Sequence, residues 1–544
     1  MSQLRVEEPF LVVSRAEVNS SRMQLTRRAV LLRVAVLMAL ALLVVLFDLA
    51  SRHVFGSNSD DATIVLQGQS LSSGHLTLQG WDLSYDSFWT VDVLFYAVAV
   101  RLLGVGPDLL NLVPAVIATL LVVVVVRVTR QGRSDRGFLA GAALVVALLA
   151  LPGPGLSFFL LQGGWHAATT LWCLLIFVGV SRSSGRWSLA AATALVAAGL
   201  LGDLLTLTLV IVPLVVGAGL AWRRRRTWRA GTRHLIAAAG GAALALCVRG
   251  VSTRIGTFAI GSRSILAKHS QVILNLKTIP NRINTLFGVT DVVPGLGRAP
   301  MVIRAVHILL LLVVIVGLAT ALARIVRSVL TLRPAVTSES ESSAFEELLV
   351  VAVIADLGSF ALFSTFGAVD FTRYLIPGFV FAAVLSARLL VRVVRSHILR
   401  DPRPLVAIAL IVIALCAVDF GAYSLGGSAP QEARSLSAFL ISNGFKSGVG
   451  DYWSSSIVTV DTRDEVEVRP VAPGSTGTLQ RYTLQSAASW YDGQTFRFFV
   501  YDSGNVWQNV TAAAAQKSFG APAATYDIGT YRVLTYPHGF HVSS

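Results

Sequence analysis

A polytopic α-helical membrane protein of about eleven spans, with a C-terminal extracytoplasmic α/β domain, is the architecture the sequence predicts. Three observations carry it. Only 14% of the 544 residues are charged and 54% are hydrophobic, where a soluble domain carries about 25% charge. The apolar residues fall in blocks of about 20, the length at which a helix crosses a hydrocarbon core about 30 Å thick. Between the blocks lie short arginine clusters, at Arg127–Arg136, Arg182–Arg186, Arg223–Arg233, Arg324–Arg333 and Arg395–Arg403. Placing all of them on the cytoplasmic side leaves one consistent threading. Topology therefore accounts for the formal charge of +15, and no nucleic acid is expected as a partner.

Taken in order, residues 1–28 form a polar cytoplasmic segment. No small-residue cleavage site follows the first apolar run, so residues 29–49 read as a retained helix. The transmembrane part covers 29–424, with long outer loops at 50–107 and 251–300. Further spans are expected at 108–127, 138–154, 165–181, 188–202, 204–222, 235–250, 301–322, 347–366, 375–394 and 405–424, with 323–346 as a cytoplasmic linker. The run Val91–Leu103 is too short to cross and reads as an interfacial or re-entrant helix. Cys173, Cys247 and Cys416 all fall in apolar segments, where cysteine behaves as a small hydrophobe. The bias to arginine over lysine fits a GC-rich bacterial coding sequence. From 425 to 544 the chain turns polar and aromatic, with strand-like alternation at Ser456–Val460 and Thr495–Tyr501.

Several outer-loop residues have side chains that suit chemistry. Asp60 and Asp61 sit just beyond the first helix. They read as a solvated acid pair, or as a base that takes a proton from a hydroxyl while its neighbour orients it or binds a cation. Asp203, between apolar runs, is costly near a membrane and so is a site candidate, although it reads equally as a turn residue capping the next helix. His166 reads as an interfacial histidine or a site residue. Arg254, Arg263 and Lys268 lie in the second outer loop, where topology calls for no basic residue. They suit either lipid headgroups or the phosphate of a lipid-linked substrate.

A first helix, the acidic pair, an amphipathic stretch, a segment containing Trp81 and Trp89, and then "LVPAVIATLLVVVVV" together resemble the N-terminal half of the GT-C glycosyltransferases. The order is most similar to the branch of protein O-mannosyltransferases and the lipid A aminoarabinose transferase. "GLLGDLLTLTLVIVP" lies where that family has a helical hairpin, and Arg373 and Tyr374 in "DFTRYLIPG" are similar to its Arg-Tyr-x-x-Pro signature. The resemblance implies that Asp60 is the catalytic base, with Asp61 beside it. Arg373 and Tyr374, with Arg254, Arg263 and Lys268, are then expected at a donor phosphate, and the threading brings His166 and Asp203 to the same outer face, with Trp89 and Asp92 as further active-site candidates. One departure stands out: the branch often has an acid between its third and fourth helices, where this chain has Trp165 and His166.

The function implied is transfer of a sugar from a polyprenyl-phosphate donor to a hydroxyl of an envelope glycan, lipid or protein, with inversion, at the outer face of a bacterial plasma membrane. A divalent cation, Mg or Mn, held by Asp61, His166 and Asp203 is the implied cofactor, and membrane lipids are the surrounding partners. Two other classes stay open. A transporter or lipid flippase would place ionisable residues deep in several helices, and Asp356 and Asp419 are the remaining mid-span candidates. A non-catalytic envelope scaffold would need fewer spans.

Overall fold

The computed structural model describes residues 15–54, 56–130, 135–181, 185–225, 231–260, 266–290, 300–331, 340–363, 369–395, 403–425 and 432–542. The membrane part opens with α1 (Arg15–Val54), whose apolar length faces outward. Two short helices follow at the membrane surface, α2 (Ser59–Ser72) and α3 (Asp92–Leu103), joined through the strand β1 (Trp81–Leu83). The run expected to be interfacial is α3. It packs against α2 and leaves Leu94, Val98, Leu102 and Leu103 exposed, as suits a helix lying along lipid.

The bundle continues with α4 (Leu109–Thr129) and α5 (Asp135–Val145), which runs through a π turn at Val146–Ala150 and bends into α6 (Pro154–Leu160). Next come α7 (Ala167–Ser181), α8 (Arg186–Gly202), a π turn at Leu207–Ile211 leading into α9 (Val212–Arg225), and α10 (Thr232–Ile255). The strand β2 (Ala259–Ile260) and α11 (His269–Leu286) precede α12 (Met301–Thr331), α13 (Ser340–Leu362), a 3-10 turn at Val369–Leu375, α14 (Ile376–Arg395) and α15 (Arg403–Leu425).

Among the described residues six helices are long and apolar enough to cross a membrane, and the pair bent by 74° between α5 and α6 makes a seventh if it counts as one span. The spans expected at 165–181, 188–202 and 204–222 are shorter apolar helices. Two expectations need correction. The linker at 323–346 is largely helical, because α12 runs on to Thr331 and α13 begins at Ser340. Glu346, at the end of that expected linker, lies inside α13, where it is buried against Arg388. The strand expected at Ser456–Val460 is instead helical. The hydroxyls of Ser454 and Ser455 bond Asp451 and open a helical turn there, and all of Ser456–Val460 is buried, so the alternation marks no exposed face.

The C-terminal region contributes α16 (Glu432–Ser442), β3 (Ser447–Gly450), α17 (Ser456–Asp461), β4 (Glu467–Pro473), β5 (Leu479–Arg481), β6 (Ser486–Ala487), β7 (Phe496–Asp502), α18 (Ala512–Phe519), β8 (Ala524–Ile528) and β9 (Tyr531–Phe540). Its main sheet has the order β5-β4-β3-β7-β9-β8, with β4, β3 and β7 parallel at the centre and antiparallel strands outside them. A second sheet, β2-β1-β6, stitches the two parts together. β6 of the C-terminal domain pairs with β1 of the first loop through Trp81 and Ala487, and β1 pairs with β2. α2 adds a polar stripe at every fourth residue, the spacing that shares one helix face. Ser59 bonds the Trp453 carbonyl, Thr63 bonds Ser456, and Gln67 bonds Gln485, each at 3.1 Å.

Far from this junction, Arg388 is 1% exposed and its guanidinium donates to Glu346 at 2.8 Å and to the Val128 carbonyl at 2.7 Å. Removing one partner of a buried pair costs about 3–5 kcal/mol, because the other charge stays buried. Glu346→Ala should therefore lower the thermal midpoint of the purified protein sharply, and Arg388→Met added to it should recover much of the loss. Equal midpoints for wild type and Glu346→Ala would contradict this role.

Candidate active site

A cavity of about 540 Å³ lies between the membrane helices and the C-terminal domain. The membrane part lines it with Asp60, Asp86, Phe88, Trp165, Arg373 and Tyr374, and the C-terminal domain with Tyr452, Trp453, Tyr482, Gln485, Trp507 and Gln508. The acidic pair opens α2, where Asn58 caps the helix and accepts from the Asp60 and Asp61 amides at 2.8 and 3.1 Å. A helix N-terminus favours carboxylates, and successive helical positions point about 100° apart, so the two acids part company. Asp60 lines the cavity, and its Oδ1 accepts from the Tyr452 hydroxyl. Burial and the charge of Asp60 hold the Tyr452 phenol well above its ordinary pKa, so it stays a donor.

Asp61 instead is 4% exposed. Burial and the Asp60 charge push its pKa well above the usual carboxylate range, against the Arg373 charge and the Gly163 amide. That amide and its neighbour define the next piece of the site. The Gly163 amide favours the charged form of Asp61, and the Gly164 amide that of Asp92. A Cβ at Gly163 would lie 2.3 Å from the Tyr96 hydroxyl, and Gly164 has φ +65° with Ile64 2.4 Å from where a Cβ would be. The turn therefore needs both glycines, and it delivers Trp165 and His166.

Trp165 stacks on Phe159 at 5.6 Å and carries the Arg373 guanidinium 5.0 Å above its ring. Phe371 and Tyr374 flank the same guanidinium at 5.8 and 5.5 Å. Among the described residues no carboxylate pairs with Arg373, so its charge is available to an anion in the cavity. His166, at φ +69°, is fully buried and bonds Asp203 at 2.7 Å. Asp203 also accepts from Thr169 and from the Leu205 amide. The imidazole lies 4.4 Å from the Tyr374 ring, and the Tyr374 hydroxyl donates to Asp86 at 2.6 Å. His166 and Asp203 thus form a pair behind the cavity wall that supports Tyr374. Burial and the Asp203 charge raise the pKa of Asp86.

The remaining expected residues fall elsewhere. Trp89 is buried, donates to the Leu76 carbonyl at 2.8 Å and packs on Phe258. Asp92 is buried beneath the glycine turn. Arg254 and Lys268 are exposed on α10 and beside α11 and do not line the cavity, while Arg263 lies outside the described residues. Asp61, His166 and Asp203 do not come together as metal ligands. Among the described residues no three His, Cys, Asp or Glu side chains gather in a way that could hold a metal ion. The sequence reading missed Asp86, Tyr452, Tyr482, Gln485 and Trp507. Asp86 was the findable one, an acid in the same loop as Asp60. The others needed the docking of the C-terminal domain.

No family model matches the chain, and no curated protein matches it. Solved structures do. ArnT from Cupriavidus metallidurans in the apo state is similar at 12% identity and TM-score 0.53, over 93% of this chain and 98% of that one. ArnT from the same organism bound to undecaprenyl phosphate is similar at 13% identity and TM-score 0.51, over 92% and 97%. An oligosaccharyltransferase from Archaeoglobus fulgidus, tethered with an acceptor peptide, is similar at 12% identity and TM-score 0.44, over 93% of this chain and 74% of that one. This chain shares its fold with ArnT.

Burial, then the Asp203 charge, pushes the Asp92 carboxyl from an ordinary 3.8 to about 7. The folded protein therefore keeps a proton that the unfolded chain releases, and the stability this contributes is lost as pH rises from about 4 to about 7. Asp92→Asn keeps the size of the side chain and carries no charge. Its thermal midpoint should gain on wild type through that window and then level off. A difference that does not change with pH would contradict the assignment.

Proposed function

We propose that the chain is an inverting membrane glycosyltransferase that moves a sugar from a polyprenyl-phosphate donor to an acceptor hydroxyl. One observation carries the reading: Asp60, with one carboxylate oxygen left unbonded among the described residues, and Arg373, with no ion-pair partner among them, line the same cavity. The fold supports it, since ArnT with this arrangement of helices was solved bound to undecaprenyl phosphate. The cavity also has apolar wall at Leu204, Leu205, Phe363 and Phe371, which suits the first units of a prenyl chain.

In the step itself, the acceptor oxygen attacks the anomeric carbon while the second oxygen of Asp60 takes its proton. The bond from that carbon to the phosphate oxygen breaks, and the phosphate leaves with the electron pair. Its developing charge meets the Arg373 guanidinium, held over Trp165. Arg373 is the cation lining the cavity that can carry this charge. The side of the membrane follows from arginine. Arg127, Arg223, Arg324, Arg327 and Arg392 lie toward the ends of α4, α9, α12 and α14 that lead away from the cavity loops. The positive-inside rule favours the cytoplasm for those ends, which supports a cavity on the outer face of a bacterial plasma membrane.

Two substitutions test the assignment. Asp60→Asn should lower release of undecaprenyl phosphate from undecaprenyl-phosphate hexoses and pentoses by about a hundredfold to ten-thousandfold, with undecaprenyl phosphate binding kept. Arg373→Met should weaken undecaprenyl phosphate binding itself. Near-normal turnover by Asp60→Asn would show that the base lies elsewhere.

A further inference from the structure

The part of the cavity wall that belongs to the C-terminal domain is an unbroken group of rings. Tyr452 lies 4.9 Å from Trp453, 5.3 Å from Tyr482 and 5.8 Å from Trp507, and the last two lie 5.0 Å apart. Trp453 is 40% exposed, a large ring left uncovered in a concave site. Side-chain amides stand beside the rings, at Gln485 and Gln508, whose backbones hold φ +54° and +46°. Non-glycine residues rarely adopt that region, and such strain collects at functional sites. Rings that take the C–H face of a sugar, beside amides and carboxylates that bond its hydroxyls, make a carbohydrate surface. A lipid acceptor would call for a continuous apolar groove instead.

The direction of transfer decides which substrate sits there. Inversion places the incoming oxygen and the departing phosphate on opposite faces of the anomeric carbon. Arg373 marks the phosphate side. The base must touch the acceptor, and Asp60 is bonded to Tyr452 at the centre of the aromatic wall.

We infer that the acceptor is a carbohydrate whose ring seats on the Tyr452, Trp453, Tyr482 and Trp507 wall, an inference that rests on the transfer reading above. The C-terminal domain then supplies the acceptor subsite, and Tyr452 positions the base by occupying one oxygen of Asp60, which leaves the other to face the sugar hydroxyl.

The test uses the full chain in nanodiscs, loaded with undecaprenyl phosphate and probed by saturation-transfer NMR with methyl glycosides and short oligosaccharides of hexoses and pentoses. Ring protons of at least one glycoside should receive saturation. Trp507→Ala and Trp453→Ala should weaken that binding by about tenfold, and Trp453→Phe should restore part of it, with undecaprenyl phosphate affinity unchanged throughout. Glycosides that bind wild type and both alanine variants alike, or that bind none of them while undecaprenyl phosphate still binds, would overturn the inference. Failure of wild type to bind undecaprenyl phosphate would overturn the transfer reading instead.

Discussion

A helix of 14 residues lying at the membrane surface, α2, has to satisfy two bodies at once, and the site depends on how it does so. Its 3.6-residue period sends Ser59, Thr63 and Gln67 to the C-terminal domain and Asp61 into the membrane part. Asp60, between these directions, is left to the cavity. Rotating the helix by one position would bury the candidate base and expose its partner. The register is held from below by the burial of Asp61 and from above by Tyr452, which bonds Asp60.

The same logic extends to the opposite wall. Burying Asp61 and Asp92 costs free energy that nearby backbone amides offset only in part, and the return is a rigid glycine turn that no side chain could enter. From that turn Trp165 reaches under Arg373 and His166 reaches behind Tyr374. An arginine seated on aromatic faces gives up less hydration than one buried in a salt bridge. It keeps its charge for a ligand, which a paired arginine such as Arg388 does not.

Much of the architecture was legible because lipid imposes a strong rule. Every spanning segment must be a helix of a certain length, so apolar blocks and arginine clusters marked the bundle, and α4, α14 and α15 begin and end close to the expected positions. The rule weakens where helices are short, bent or acid-bearing, as in α7, α8 and α13, and it says nothing of α11 within the second outer loop. Asp60, Arg373 and Tyr374 were findable because local motifs carry them. Tyr452, Tyr482 and Trp507 were not, since Tyr452 meets Asp60 across about four hundred residues of chain and the other two pack on Tyr452, and no local pattern encodes such a contact. Asp61, His166 and Asp203 looked alike in sequence, as polar groups near a membrane. Burial separates them from the cavity, and burial is a property of the packed fold.

The central claim is that Asp60 and Arg373 serve a single transfer site in the cavity they both line. A cryo-EM structure of the chain in nanodiscs with undecaprenyl phosphate tests it most directly. The account predicts density for the phosphate against the Arg373 guanidinium, with the prenyl chain leaving past Phe363 and Phe371 and the unbonded oxygen of Asp60 facing the space between phosphate and aromatic wall. Phosphate density seated instead on Arg254 or Lys268, with the cavity beside Asp60 empty, would contradict it.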